Sequence, residues 1–60
     1  MSVIFELEIE TSPGVSHTLF VYDQISPKLL AENFVMEYRL PKSAIDPLST
    51  YIQQNIAALS

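Results

Sequence analysis

Three glutamates near the start of the chain are its most obvious candidates for chemistry. Glu6, Glu8 and Glu10 are spaced two residues apart, so on an extended strand their side chains share one face at intervals of about 6.8 Å. Carboxylates in this pattern can hold a cation or act as an acid–base pair. Hard cations, however, are usually held by loops and backbone carbonyls, and acid–base pairs work inside a cleft. A solvated strand face is therefore the favoured interpretation.

The other residues that carry chemistry are too few for a catalytic or metal centre. His17 is the only histidine, and the chain has no cysteine, so neither a zinc site nor a His-containing triad is recognisable. Pro13-Gly14 contains the only glycine, and one glycine does not make a phosphate-binding loop. A chain of 60 residues also leaves little room for a substrate pocket. We predict no enzyme activity, no metal and no cofactor.

The composition limits the class of partner. The net charge is −4, and the basic residues Lys28, Arg39 and Lys42 are scattered. A nucleic-acid binder needs a basic stripe to neutralise phosphates, and the same negative sign disfavours an anionic membrane surface. An apolar content of 48% is too high for a disordered segment. We therefore expect a protein partner, and a basic one is favoured electrostatically.

The same features indicate the compartment. The first residues contain no basic segment followed by a long apolar one, so no signal peptide is expected. No apolar run approaches the roughly 20 residues that span a bilayer. The sequence predicts an intracellular, cytoplasmic domain, which can also be part of a longer chain.

A β-hairpin over about residues 2–23 is the element that must position the glutamates. Residues 3–10 alternate apolar and acidic side chains, which is typical of a strand with one buried face. Pro13-Gly14 suits a type II turn, with Gly14 taking the positive φ. Two-residue hairpins prefer mirror-image turns, so we expect a slightly longer loop. The second strand, about Ser16–Asp23, is apolar on both faces.

A helix over about residues 27–39 follows. Ser26 is the expected N-cap and Pro27 the first helical residue. The helix must stop before Pro41, because the residue preceding a proline avoids the α region. Its apolar stripe consists of Leu30, Ala31, Phe34, Val35 and Tyr38.

A second helix over about residues 44–59 completes the chain. Either Ser43 caps it, or Asp46 caps it with Pro47 in first place, and the Asp-Pro pair favours the second start. Its predicted apolar stripe consists of Leu48, Ile52, Ile56 and Leu59. We therefore predict a single α+β domain over residues 1–60, in which an N-terminal antiparallel β-hairpin packs on two C-terminal helices in ββαα order.

The helical half resembles a known family. Its residues follow the pattern P-x3-A-x2-F-x5-L-P-x6-L-x2-Y-I-x2-N between Pro27 and Asn55. This pattern resembles the C-terminal half of the PFU domain, the ubiquitin-binding domain of the phospholipase-activating-protein family. The strand at residues 4–9 is similar to that family's Phe-Asp-Val-Asp-type strand, and Phe20-Val21-Tyr22-Asp23 stands where the family tends to have Leu-Pro-Tyr-Asn. The resemblance covers residues 4–56 and implies a PFU-like ββαα unit that binds ubiquitin.

The resemblance also implies which face of the hairpin is free. In a PFU-like register, Phe20 and Tyr22 face the helices together with Phe5 and Leu7. An apolar face flanked by carboxylates suits a partner such as ubiquitin, whose contact surface is an apolar patch ringed by basic residues. The alternative is a homodimer or scaffold domain that buries this face, because a bare two-stranded sheet is only marginally stable. The predicted partner-binding residues are Ile4, Glu6, Glu8, His17, Leu19 and Val21.

Overall fold

The computed structural model describes residues 2–59, so the predicted domain limits at Met1 and Ser60 lie outside the described residues. Two strands form an antiparallel sheet and two helices follow them, which confirms the predicted α+β fold in ββαα order. The elements in chain order are β1 Val3–Ser12, β2 Val15–Tyr22, α1 Pro27–Glu37, a 3-10 turn Lys42–Ala44 and α2 Ile45–Ala58.

The hairpin closes with a shorter loop than predicted. Pro13-Gly14 is a two-residue turn between β1 and β2, and Gly14 has a φ of 78°, as the second central residue of a type II turn requires. Thr11 is an extra, bulged residue of β1 just before the turn. A bulge increases the local right-handed twist, which compensates for a turn type whose own twist does not match that of the strands.

The inner face of the sheet packs on the helices. Leu7 lies opposite Leu19, and Phe5 lies opposite Val21. Leu19 and Val21 are 4% and 0% exposed. They belong to the core that α1 and α2 close from the other side.

The prediction that Phe20 faces the helices is wrong. Phe20 lies opposite Glu6 and is 45% exposed, while Tyr22 at the end of β2 is half-buried at the margin of the core. Directly opposed residues of an antiparallel pair share a face, and a one-residue change in register moves every side chain to the other face. The two-residue turn alone would pair Phe20 with Leu7, and the extra residue Thr11 shifts the register by one, so that Phe20 lies opposite Glu6 on the outer side.

The start of α1 is confirmed. Ser26 is the N-cap, and its hydroxyl oxygen accepts a hydrogen bond from the backbone N–H of Leu29 at 3.2 Å. Pro27 occupies the first helical position, where its missing N–H has no intrahelical role. Four residues of the predicted stripe are buried: Leu30, Ala31, Phe34 and Val35.

The end of α1 is closed by a Schellman motif. The N–H of Leu40 donates to the carbonyl of Val35 at 2.9 Å, and the N–H of Arg39 donates to that of Met36 at 3.4 Å. Arg39 has a φ of 55°, in the left-handed region that this motif usually fills with glycine. The chain then turns toward α2 at Pro41.

Neither predicted cap starts α2. The helix begins at Ile45 with Ala44 as N-cap and no side-chain capping bond, because the 3-10 turn runs directly into it. Pro47 is the third helical residue, where its missing N–H costs nothing, since the first four N–H groups have no intrahelical partner.

The apolar stripe of α2 is shorter than predicted. Leu48 and Ile52 are buried, and Ile56 packs partly against the core. Leu59 lies just after the end of the helix and is 62% exposed, so its place in the buried stripe was wrong. Within residues 2–59, no helix combines the length and the apolar character needed to cross a bilayer.

Candidate protein interface on the outer face of the hairpin

The outer face of the sheet combines exposed apolar side chains with carboxylates. Glu6 lies directly opposite Phe20, and Glu8 lies opposite Thr18. The Thr18 hydroxyl donates a hydrogen bond to the carboxylate of Glu8, which holds that carboxylate on the face. Phe20, which is 45% exposed, therefore stands directly opposite a carboxylate on this face.

A bulge adds aliphatic surface at the open end of the hairpin. Ile4 is the extra residue between the Val3–Tyr22 and Phe5–Val21 pairs. A bulge interrupts the regular alternation of the two faces, so the place of Ile4 in this surface rests on its exposure. Ile4 is 41% exposed and its neighbour Val3 is 48% exposed. We refer to Val3, Ile4 and Phe20 as the outer apolar patch.

The net charge of the chain is concentrated on the hairpin. Residues 3–23 contain four carboxylates and no lysine or arginine, whereas residues 24–59 contain three acidic and three basic residues. The whole net charge of −4 thus belongs to the two strands and the segment directly after them. The field around the outer apolar patch is negative, and it attracts a basic partner.

Three of the predicted partner-binding residues lie on this face. Ile4, Glu6 and Glu8 are all exposed, and Glu6 adjoins Phe20 across the strand pair. Phe20 was not among the predicted residues. The two-residue turn alone would pair Phe20 with Leu7, and only the extra residue Thr11 moves it opposite Glu6, so the sequence signal for Phe20 is the requirement that the glutamates of β1 face water.

The other three predicted residues do not lie on the outer face, and the prediction was wrong for them. Leu19 and Val21 are buried in the core, since they are paired with the inward-facing residues of β1. His17 is half-buried, and its ring stacks on Tyr38 with 4.0 Å between centroids and 20° between planes. His17 lies opposite the inner-face residue Ile9, and it therefore packs against the end of α1.

The inner aromatic cluster has a structural role. Tyr38 also contacts Phe34, with ring centroids 4.7 Å apart and planes tilted by 54°, so His17, Tyr38 and Phe34 form a series of ring contacts from the sheet into the core. Among residues 2–59, no group of three or more histidine, cysteine or acidic side chains is placed to hold a metal ion. The outer face is therefore the surface with the clearest potential for recognition.

Comparison with known proteins identifies no relative: no family model, no curated protein and no solved structure matches the chain. The PFU-like character therefore stays a prediction. Function has to be argued from the outer face itself.

Proposed function

We propose that this chain is a PFU-like protein-interaction module whose outer sheet face binds ubiquitin or a small protein with a similar surface. The observation that supports the proposal is the position of Phe20 beside Glu6 on a hairpin that has no lysine or arginine. A partner with an apolar patch ringed by lysines and arginines is complementary to this face in both apolar character and charge.

The size of the face implies weak and transient binding. The eight residues of β2 extend about 27 Å, and two strands are about 10 Å wide, which gives roughly 300 Å² of sheet surface. A standard stable interface buries about 800 Å² on each partner. We therefore expect a dissociation constant in the high micromolar range, with Phe20 as the principal anchor.

Self-association through the same face is the alternative function, and charge argues against it. A twofold dimer brings one patch onto its own copy, so Glu6, Glu8 and Glu10 of both chains would meet. Residues 3–23 supply no lysine or arginine to neutralise them. Like charges brought together at an interface cost several kcal/mol, so a partner of different sequence is favoured at neutral pH.

The helical residues that match the PFU-like pattern include buried core residues. Ala31, Phe34, Leu48 and Ile52 are all buried, at 0%, 5%, 9% and 0% exposure. These residues hold the helices against the inner face of the sheet. The resemblance in this half therefore supports the fold of the module, and the proposed binding depends on the hairpin.

Affinity for ubiquitin in a matched set of variants tests the proposal. Phe20→Ala should weaken binding about tenfold or more, as loss of a central aromatic anchor does. Glu8→Lys should weaken it several-fold and reduce its salt dependence, while changing folding stability by less than about 0.5 kcal/mol. Leu29→Ala is the control, because Leu29 is 46% exposed and lies on α1. The affinity of this variant for ubiquitin should equal that of the wild type.

Two results would count against the proposal. The first is the absence of binding by the wild-type chain at about 1 mM ubiquitin. That concentration would reveal a complex with a dissociation constant a thousandfold weaker than micromolar. The second is a mass in sedimentation equilibrium that rises with concentration and is reduced to the monomer value by Phe20→Ala. That second result would assign the outer face to the homodimer instead.

A further inference from the structure

A groove of about 480 Å³ lies at the turn end of the hairpin, within the size range of ligand sites. One wall is the continuous β1 segment 8–11. The opposite wall comes from the connection between the helices and from the first turns of α2, through Leu40-Pro41, Pro47-Leu48 and Tyr51. None of the outer apolar patch lines it, and Glu8 and Glu10 are the residues that it shares with the acidic outer face.

The groove opens on the unpaired edge of β1. β1 is hydrogen-bonded to β2 on one side only, and the β2 residues 16–18 that lie opposite residues 8–10 are not part of the lining. Alternate residues of a strand paired on one side turn their N–H and C=O groups outward, where another chain can pair with them. Segment 8–11 offers about 10 Å of such edge, enough for three or four residues of an added strand.

The side chains of the groove specify the character of an added strand. Leu48 is 9% exposed and forms an apolar floor, while Tyr51 is 45% exposed and leaves its ring at the rim. The charged residues in the lining are Glu8 and Glu10, and the lining includes no lysine or arginine. Apolar side chains can enter the groove while basic side chains meet the two carboxylates.

We infer that this groove binds an extended peptide segment, with alternating basic and apolar residues, by strand addition to the free edge of β1. In this mode, main-chain hydrogen bonds supply affinity, and pockets for alternate side chains supply specificity. A compact small molecule would fill the apolar floor but leave the backbone groups of the strand edge without partners. The inference goes beyond the proposed function, and either one can fail without the other.

A synthetic octapeptide that alternates lysine with leucine, blocked at both ends, is the direct probe. Added to the ¹⁵N-labelled chain, it should shift amide signals of residues 8–11 and of residues 40–51. Replacing its lysines with glutamates should abolish the shifts, because the rim is acidic. Methylation of alternate peptide nitrogens should weaken binding about tenfold or more, because it removes the donors that strand pairing needs.

Variants of the chain complete the test. Tyr51→Ala should weaken peptide binding about tenfold, and Leu29→Ala, at 46% exposure against 45% for Tyr51, should not. Tyr51→Lys is the second variant at this position, and its added cation should repel the basic peptide. Phe20→Ala should leave peptide binding unchanged, which separates this site from the outer apolar patch.

Three outcomes would overturn the inference. The first is the absence of shifts at about 1 mM peptide, a concentration that detects even millimolar affinity. The second is a set of shifts confined to the outer apolar patch. The third is equal binding of the N-methylated and unmethylated peptides. The last would show that the groove takes the side chains without pairing to the strand.

Discussion

Leu19 and Phe20 are neighbours on β2 whose side chains point to opposite faces of the sheet, so the same substitution at both tests the assignment of those faces. Leu19 is 4% exposed and Phe20 is 45% exposed. Lysine is the informative replacement, because it is tolerated where water is available and is costly where it is not.

The structure predicts very different costs for the two changes. Leu19→Lys loses about 2–3 kcal/mol of apolar burial, and desolvating the ammonium group costs several kcal/mol more. A domain of 60 residues has a total stability of roughly 3–9 kcal/mol, so this variant should be unfolded. Phe20→Lys loses about 1–1.5 kcal/mol, since only half of the ring is buried, and regains up to about 0.5 kcal/mol opposite Glu6.

Thermal melts followed by far-UV circular dichroism measure both effects. Phe20→Lys should melt cooperatively about 4–8 °C below the wild type, whereas Leu19→Lys should show no cooperative transition. Ser16→Lys is the control for lysine in β2, because Ser16 is exposed, and it should melt close to the wild type. A folded Leu19→Lys together with an unfolded Phe20→Lys would refute the assignment of the faces and favour the PFU-like register.

Three further substitutions test the local structure by the same melts. Ser26→Ala should lower the free energy of unfolding by about 1 kcal/mol, because it removes the N-cap acceptor of α1, and an unchanged melting temperature would contradict that role. Arg39→Gly should raise it by about 0.5–1 kcal/mol, because glycine relieves the positive φ at the Schellman motif, and a destabilised variant would argue against that geometry. Phe34→Ala should cost about 3–5 kcal/mol and abolish the cooperative melt, so a melt near that of the wild type would show that Phe34 is not central to the core.

The order of the elements is predictable because their local signals agree. Alternating apolar and acidic residues specify β1, and Ser26-Pro27 specifies the start of α1. The helical spacing of the apolar residues around Leu30 and Phe34 in α1, and around Leu48 in α2, predicts which residues are buried. Each of these signals lies within one element, so it does not depend on how the elements pack.

The orientation of β2 is not predictable in the same way. Its residues are apolar on both faces, so periodicity does not distinguish Leu19 from Phe20. The choice depends on which residue of β1 lies opposite each one, and this is set by the length of the turn and by the bulge at Thr11. The PFU-like register places Phe20 inside, and it therefore gives the wrong face for His17, Leu19 and Val21.

The groove depends on tertiary packing and leaves no local signal. Segment 8–11 and Tyr51 are at least forty residues apart in the sequence, and they line one groove only because tertiary packing brings the first turns of α2 near the turn end of β1. The start of α2 at Ile45 is another such case. The preceding 3-10 turn, and not a capping side chain, leads the chain into the helix.

The proposed binding surface is tested most directly by the ¹⁵N–¹H spectrum of the chain during a titration with unlabelled ubiquitin. We expect fast-exchange shifts centred on Val3, Ile4, Glu6 and Phe20, with the signals of α1 and of segment 40–51 almost unchanged. Shifts centred on the helices, or no shifts at about 1 mM ubiquitin, where even a millimolar complex is half formed, would contradict this expectation.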